Sequence, residues 1–101
     1  MTKTVQLRRY DVKPSEFDDF LAWWTSTIAP LRKQFGFTVE FAYADQANDQ
    51  FVWAVSVPGD EAAFKAAEEI YTGSEARAKA FEGVPQRVDR HVVAFVKVLV
   101  G

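Results

Sequence analysis

Four stretches with strand-like patterning, two alternating at period two and two apolar on both faces or nearly so, two stretches with helical apolar spacing, and their order β-α-β-β-α-β predict an α+β fold. For a chain of 101 residues that order is the ferredoxin-like plait, four antiparallel strands with both helices on one face. Residues 1–101 are expected to form a single domain. Thr4 to Tyr10 opens the chain as a strand, with Val5 and Leu7 on one side and Gln6, Arg8 and Tyr10 on the other. Ser15 is expected to cap the first helix, whose apolar residues Phe17, Phe20, Leu21, Trp24, Ile28, Leu31 and Phe35 trace one face. Pro30 removes a backbone donor and crowds the carbonyl of Ser26. The helix is therefore expected to bend and open a cavity near Trp23, Trp24 and Thr27 before Gly36 ends it.

Phe37, Val39, Phe41 and Tyr43 alternate through a second strand, and turn-forming residues 45–49 lead into a third, Phe51 to Val57. Asp60 caps a second helix along Phe64, Ala67, Ile70 and Tyr71, which Gly73 and Ser74 break in two. Val88 to Val98 closes the chain as a strand apolar on both faces, and the third strand is nearly so. Helices cover one face of such a sheet and leave the other bare. The simplest cover is a second copy packed sheet to sheet, a dimeric α+β barrel with the helices outside.

Composition removes several function classes. The formal net charge is −2, so the basic footprint of a nucleic-acid binder is missing. With no cysteine and one histidine, neither a thiolate site nor a histidine-cluster metal site is expected, and no cofactor is implied. The N-terminal stretch is too charged for a signal peptide and no apolar run suits a membrane span, so a cytoplasmic location is expected.

Gln6-Leu-Arg-Arg-Tyr10, then Pro14 and the helix Phe17 to Trp24, resemble the opening of NIPSNAP-type domains in the dimeric α+β-barrel superfamily. Pro30-Leu-Arg-Lys-Gln-Phe-Gly36, Phe51-Val-Trp-Ala-Val and Tyr71-Thr-Gly-Ser-Glu75 follow in the order such domains show, so the resemblance covers nearly the whole chain. The sequence departs from that pattern at Ala76, where a tryptophan is usual, and at Glu40-Phe-Ala-Tyr43, where a glycine-containing strand is usual. The resemblance implies a homodimer and no agreed reaction. The superfamily includes cofactor-free monooxygenases acting on polycyclic phenols and haem-degrading enzymes. Of the haem-degrading pattern only Trp53 has a counterpart here, because the one histidine, His91, falls on the last strand and the first strand has no asparagine.

Candidate site residues follow from chemistry and placement. Arg8 and Tyr10 share one face of the first strand, where a guanidinium beside a phenol suits an anionic or phenolic ligand at a pocket mouth, or else forms a polar stripe at the dimer interface. His91 is the one side chain whose ordinary pKa suits a general base near neutrality. Trp24 lies on the core stripe, Trp23 lies about 100° off it, and Trp53 sits mid-strand, where a large aromatic gives a planar ligand something to stack on. Asp18, Asp19, Glu68 and Glu69 read as solvated helix positions without chemistry. The resulting expectation is a homodimer binding a small hydrophobic or aromatic molecule between the first helix and the sheet. The alternative is a cofactor-independent monooxygenase or cyclase acting on an aromatic, polyketide-like substrate, with His91, Arg8 and Tyr10 as its catalytic residues.

Overall fold

The structure, a computed structural model, describes residues 2–101. β1 (Lys3–Val12) lies inside a four-stranded sheet between β3 (Gln50–Pro58) and β4 (Val88–Val96), and β2 (Thr38–Asp45) pairs with the far side of β3. The order β2-β3-β1-β4, with every pair antiparallel, is that of the ferredoxin-like plait. Register sets Arg8 opposite Trp53 and Tyr10 opposite Phe51 on β3, while on β4 Tyr10 faces His91.

The first helical region runs as α1 (Phe17–Trp23), a π-helical turn (Trp24–Ile28) and α2 (Ala29–Gln34). Its start differs from expectation. Pro14 opens a 3₁₀ turn over Pro14–Glu16, which places Ser15 inside that turn rather than ahead of a helix, and its side chain caps nothing. Ahead of Pro30, where a bend or irregular turn is expected, the chain makes a π turn in which the Ala29 N–H donates to the Trp24 carbonyl five residues back. Widening the turn just ahead of Pro30 relieves the clash that a proline ring makes with the carbonyl four residues earlier. At the exit, Gly36 adopts φ 88°. The Phe37 and Gly36 amides then reach back to the carbonyls of Arg32 and Lys33, a closure that favours glycine at the left-handed position.

Two further helices, α3 (Glu61–Thr72) and α4 (Glu75–Phe81), are separated at Gly73. Each carries a side-chain cap: Asp60 accepts the Ala63 N–H at 2.9 Å, and Ser74 accepts the Arg77 N–H at 3.1 Å. The core lies between the first helical region and α3 on one side and Phe51, Trp53, Val55 and Val57 of β3 on the other, all buried.

Two expectations for the strands are corrected. Phe41 and Tyr43 do not share a face with Phe37 and Val39, because a β-bulge between Val39 and Phe41 inserts one residue against β3. Val39 stays opposite Val55 while Phe41 and Tyr43 move to the open face, where their rings stack at 5.0 Å and Tyr43 is 68% exposed. Glu40 at the bulge accepts a hydrogen bond from Ser56 Oγ at 2.6 Å and one from Lys3 Nζ at 3.0 Å. These bonds, the one from Ser56 first, hold its carboxyl below the usual carboxylate range. The last strand ends at Val96 rather than Val98, and Leu99 and Val100 beyond it are exposed. On the open face Val92 and Val96 of β4 are also exposed.

Candidate ligand cavity

A cavity of about 360 Å³ lies between the π turn, α4 and the sheet. Arg8, Tyr10, Trp23, Trp24, Trp53 and His91 all line it. Thr27, expected beside it, does not; its hydroxyl lies 3.4 Å from that of Ser26 on the exposed side of the helix.

Strand alternation turns Gln6, Arg8 and Tyr10 toward the helices, so this polar stripe lies over the core side of the sheet and not on its open face. Arg8 is held at three points. Its Nε donates to the Tyr10 hydroxyl at 2.8 Å, its Nη1 donates to Gln6 Oε1 at 2.8 Å, and Glu68 of α3 stands 3.7 Å away. Tyr10 and His91 meet edge to face at 6.4 Å between ring centroids, with His91 at the solvent-exposed rim. Trp53 is buried and packs edge to face on Trp24 at 5.1 Å. The guanidiniums of Arg8 and Arg32 lie 5.5 and 5.3 Å from its ring centroid. Trp23, half-buried as its position off the stripe implies, donates from Nε1 to the Ala80 carbonyl at 3.2 Å and meets Phe81 at 5.0 Å. That contact sets α4 as the outer wall.

Sequence reasoning missed part of this lining. Glu68 is not a mere solvated position: both its oxygens accept from the Arg32 guanidinium, and it also faces Arg8. The signal was available, since Arg32 follows Ile28 by four residues on the core face of the first helix, and Glu68 follows Phe64 by four on the second. Arg32, 4% exposed, lies over the rings of Phe37 and Tyr71 at 4.8 and 4.2 Å. Burial pushes the Tyr71 phenol up, and the charges of Arg32 and Arg77 pull it partly back. Arg77 packs over Phe81 at 4.1 Å. Arg87, at the far end, donates to Glu16 at 3.1 Å. Among the described residues no three metal-ligating side chains come together, and no helix is long and apolar enough to cross a membrane. The chemistry the cavity offers is hydrogen-bond donation, aromatic stacking and positive charge.

No protein-family model matches the chain, and no curated protein matches it in sequence. Solved structures do match in fold. A NIPSNAP family protein from Agrobacterium tumefaciens aligns with a TM-score of 0.84 at 5% identity, over 95% of this chain and 92% of that one. An uncharacterised NIPSNAP domain protein from Burkholderia xenovorans gives 0.81 at 11% identity, over 94% and 93%. A putative antibiotic biosynthesis monooxygenase from Bacteroides thetaiotaomicron gives 0.74 at 16% identity, over 98% and 91%. At such identities the likeness is one of fold, the α+β fold that these NIPSNAP proteins have.

Proposed function

We propose that the protein binds a small hydrophobic or aromatic molecule in the cavity between its first helical region and the sheet, as a homodimer closed over the open sheet faces. The observation that carries this reading is the cavity itself: about 360 Å³, walled by three tryptophans and two tyrosines, with a few polar groups among them. Binding sites for small molecules commonly combine apolar and aromatic walls with a few fixed polar groups at volumes of roughly 300–1,000 Å³. Tryptophan fluorescence is the natural readout, since all three tryptophans of the chain line the site. Titration with two-ring aromatic probes is expected to quench it saturably, and Val84→Trp, which fills the cavity from a loop, is expected to abolish the response. Quenching that persists unchanged in that variant would place binding elsewhere.

A second reading, a cofactor-independent monooxygenase or cyclase, is favoured by one specific arrangement. His91 is the cross-strand neighbour of Tyr10, whose hydroxyl accepts from Arg8, so a base and two donors border one space. In this reading His91 takes a phenolic proton while Arg8 and Tyr10 hold the resulting anion. The test is oxygen consumption with a panel of polyphenols. Turnover lost in both His91→Ala and Arg8→Ala supports these roles, and turnover indifferent to both rejects them.

A further inference from the structure

Four buried side-chain nitrogens among the described residues have no hydrogen-bond partner: Nε1 of Trp24, Nε1 of Trp53, Nε of Arg32 and Nε of Arg77. All four are donors, and all four belong to residues that line this one cavity. Buried donors are nearly always satisfied, so a cluster of exceptions in the walls of one space leaves those walls with an excess of donors over acceptors. The charges agree. The lining contains four arginines and no aspartate or glutamate, and only Glu68 and Glu16 stand behind them as counter-ions. Arg77 alone of the four pairs with no carboxylate among the described residues; rings of Phe81 and Tyr71 are its cation–π partners. The Tyr10 hydroxyl accepts from Arg8, which leaves its own hydrogen to donate.

From this we infer that the bound molecule is an aromatic carboxylate, with its carboxylate held by Arg77. The inference rests on the cavity-binding reading above and narrows its ligand class. A carboxylate offers two oxygens to a guanidinium, whereas a phenolate offers a single oxygen. Its plane matches the fork of a guanidinium, and the indoles supply the stacking wall for the ring. Size fits as well: an engineered cavity of about 150 Å³ accepts benzene, and the larger volume here accommodates two fused rings with a carboxyl group.

Isothermal titration with 2-naphthoate and its neutral isostere 2-naphthamide tests the inference, with pentafluorophenolate as the single-oxygen anion. Naphthoate is expected to bind at least tenfold more tightly than the amide. Arg77→Met is expected to erase that preference, the acid losing at least tenfold more affinity than the amide, and Arg77→Lys to retain part of it. Circular dichroism melting of both variants separates a lost anchor from a lost fold. If the amide binds as tightly as the acid, or the preference survives in Arg77→Met, the carboxylate assignment falls while the cavity reading stands. Pentafluorophenolate bound more tightly than naphthoate overturns it too. If none of the three binds, the cavity reading fails and takes this inference with it.

Discussion

An arginine on the core stripe of a helix is tolerable only if a carboxylate follows it inside, and Glu68 does so from the facing helix. Removing that charge leaves Arg32 uncompensated. Glu68→Gln is therefore expected to cost about 2 kcal/mol, below the 3–5 kcal/mol typical of breaking a fully buried pair because Glu68 is partly exposed. Glu69→Gln, on the solvated side, is expected to stay within about 0.5 kcal/mol; urea denaturation of the two variants measures the contrast. Glu40 gives a pH signature. Its carboxyl is held below the usual value of 4.5, so its contribution is fully present above that value and disappears as pH falls through the lower folded one. Glu40→Gln is expected to lower stability by about 0.5 kcal/mol at neutral pH, less in high salt, and to match the parent protein in strong acid. The alternation of Gln6, Arg8 and Tyr10 was legible in the sequence, but the side of the sheet they take was not. A polar stripe ordinarily faces water, and here Glu68 and the cavity let it face the helices.

Helices announced themselves by spacing and by punctuation at Pro30, Gly36, Asp60 and Gly73, and each of these residues does mark a bend, end or start. Bulges carry no such punctuation. Glu40 breaks the period in β2 without glycine or proline, so the face taken by Phe41 and Tyr43 emerges only from pairing with β3. The proline-linked π turn, by contrast, ties an element's geometry to the cavity. Pro30→Ala restores a donor and removes the ring that crowds the Ser26 carbonyl, so the turn is expected to tighten into regular α-helix. Stability is expected to rise by about 1 kcal/mol while affinity for aromatic probes falls, a trade between a relaxed element and an open site. Thermal melting and probe titration of the same variant check both halves. A rise in affinity would show that the wide turn does not shape the pocket.

On the scale of the whole molecule, the sheet is covered on one side only, and its open face carries Val92, Val96, Phe41 and Tyr43. Apolar composition on both sides of β3 and β4 made that face legible, and its proposed cover is a second copy. Stable interfaces remove roughly 800 Å² from each partner, and two such faces packed together are expected to hold a dimer at micromolar concentration. Ala94→Glu, opposite Leu7 on that face, is expected to yield monomers in sedimentation velocity; a folded monomer of the unaltered protein under the same conditions would contradict the barrel. Opening within the fold is just as uneven. α3 anchors Phe64 and Tyr71 in the core, whereas α4 buries no residue fully. Segments with few buried anchors open at a small fraction of the global unfolding free energy, so amides of Ala80 and Phe81 are expected to exchange with deuterium well before those of β3, and more slowly once a probe is bound. In the proposed binding reading the wall that closes the cavity is thus also its door, and the time a guest spends inside is expected to be set by how often seven residues lift away, not by how often the protein unfolds.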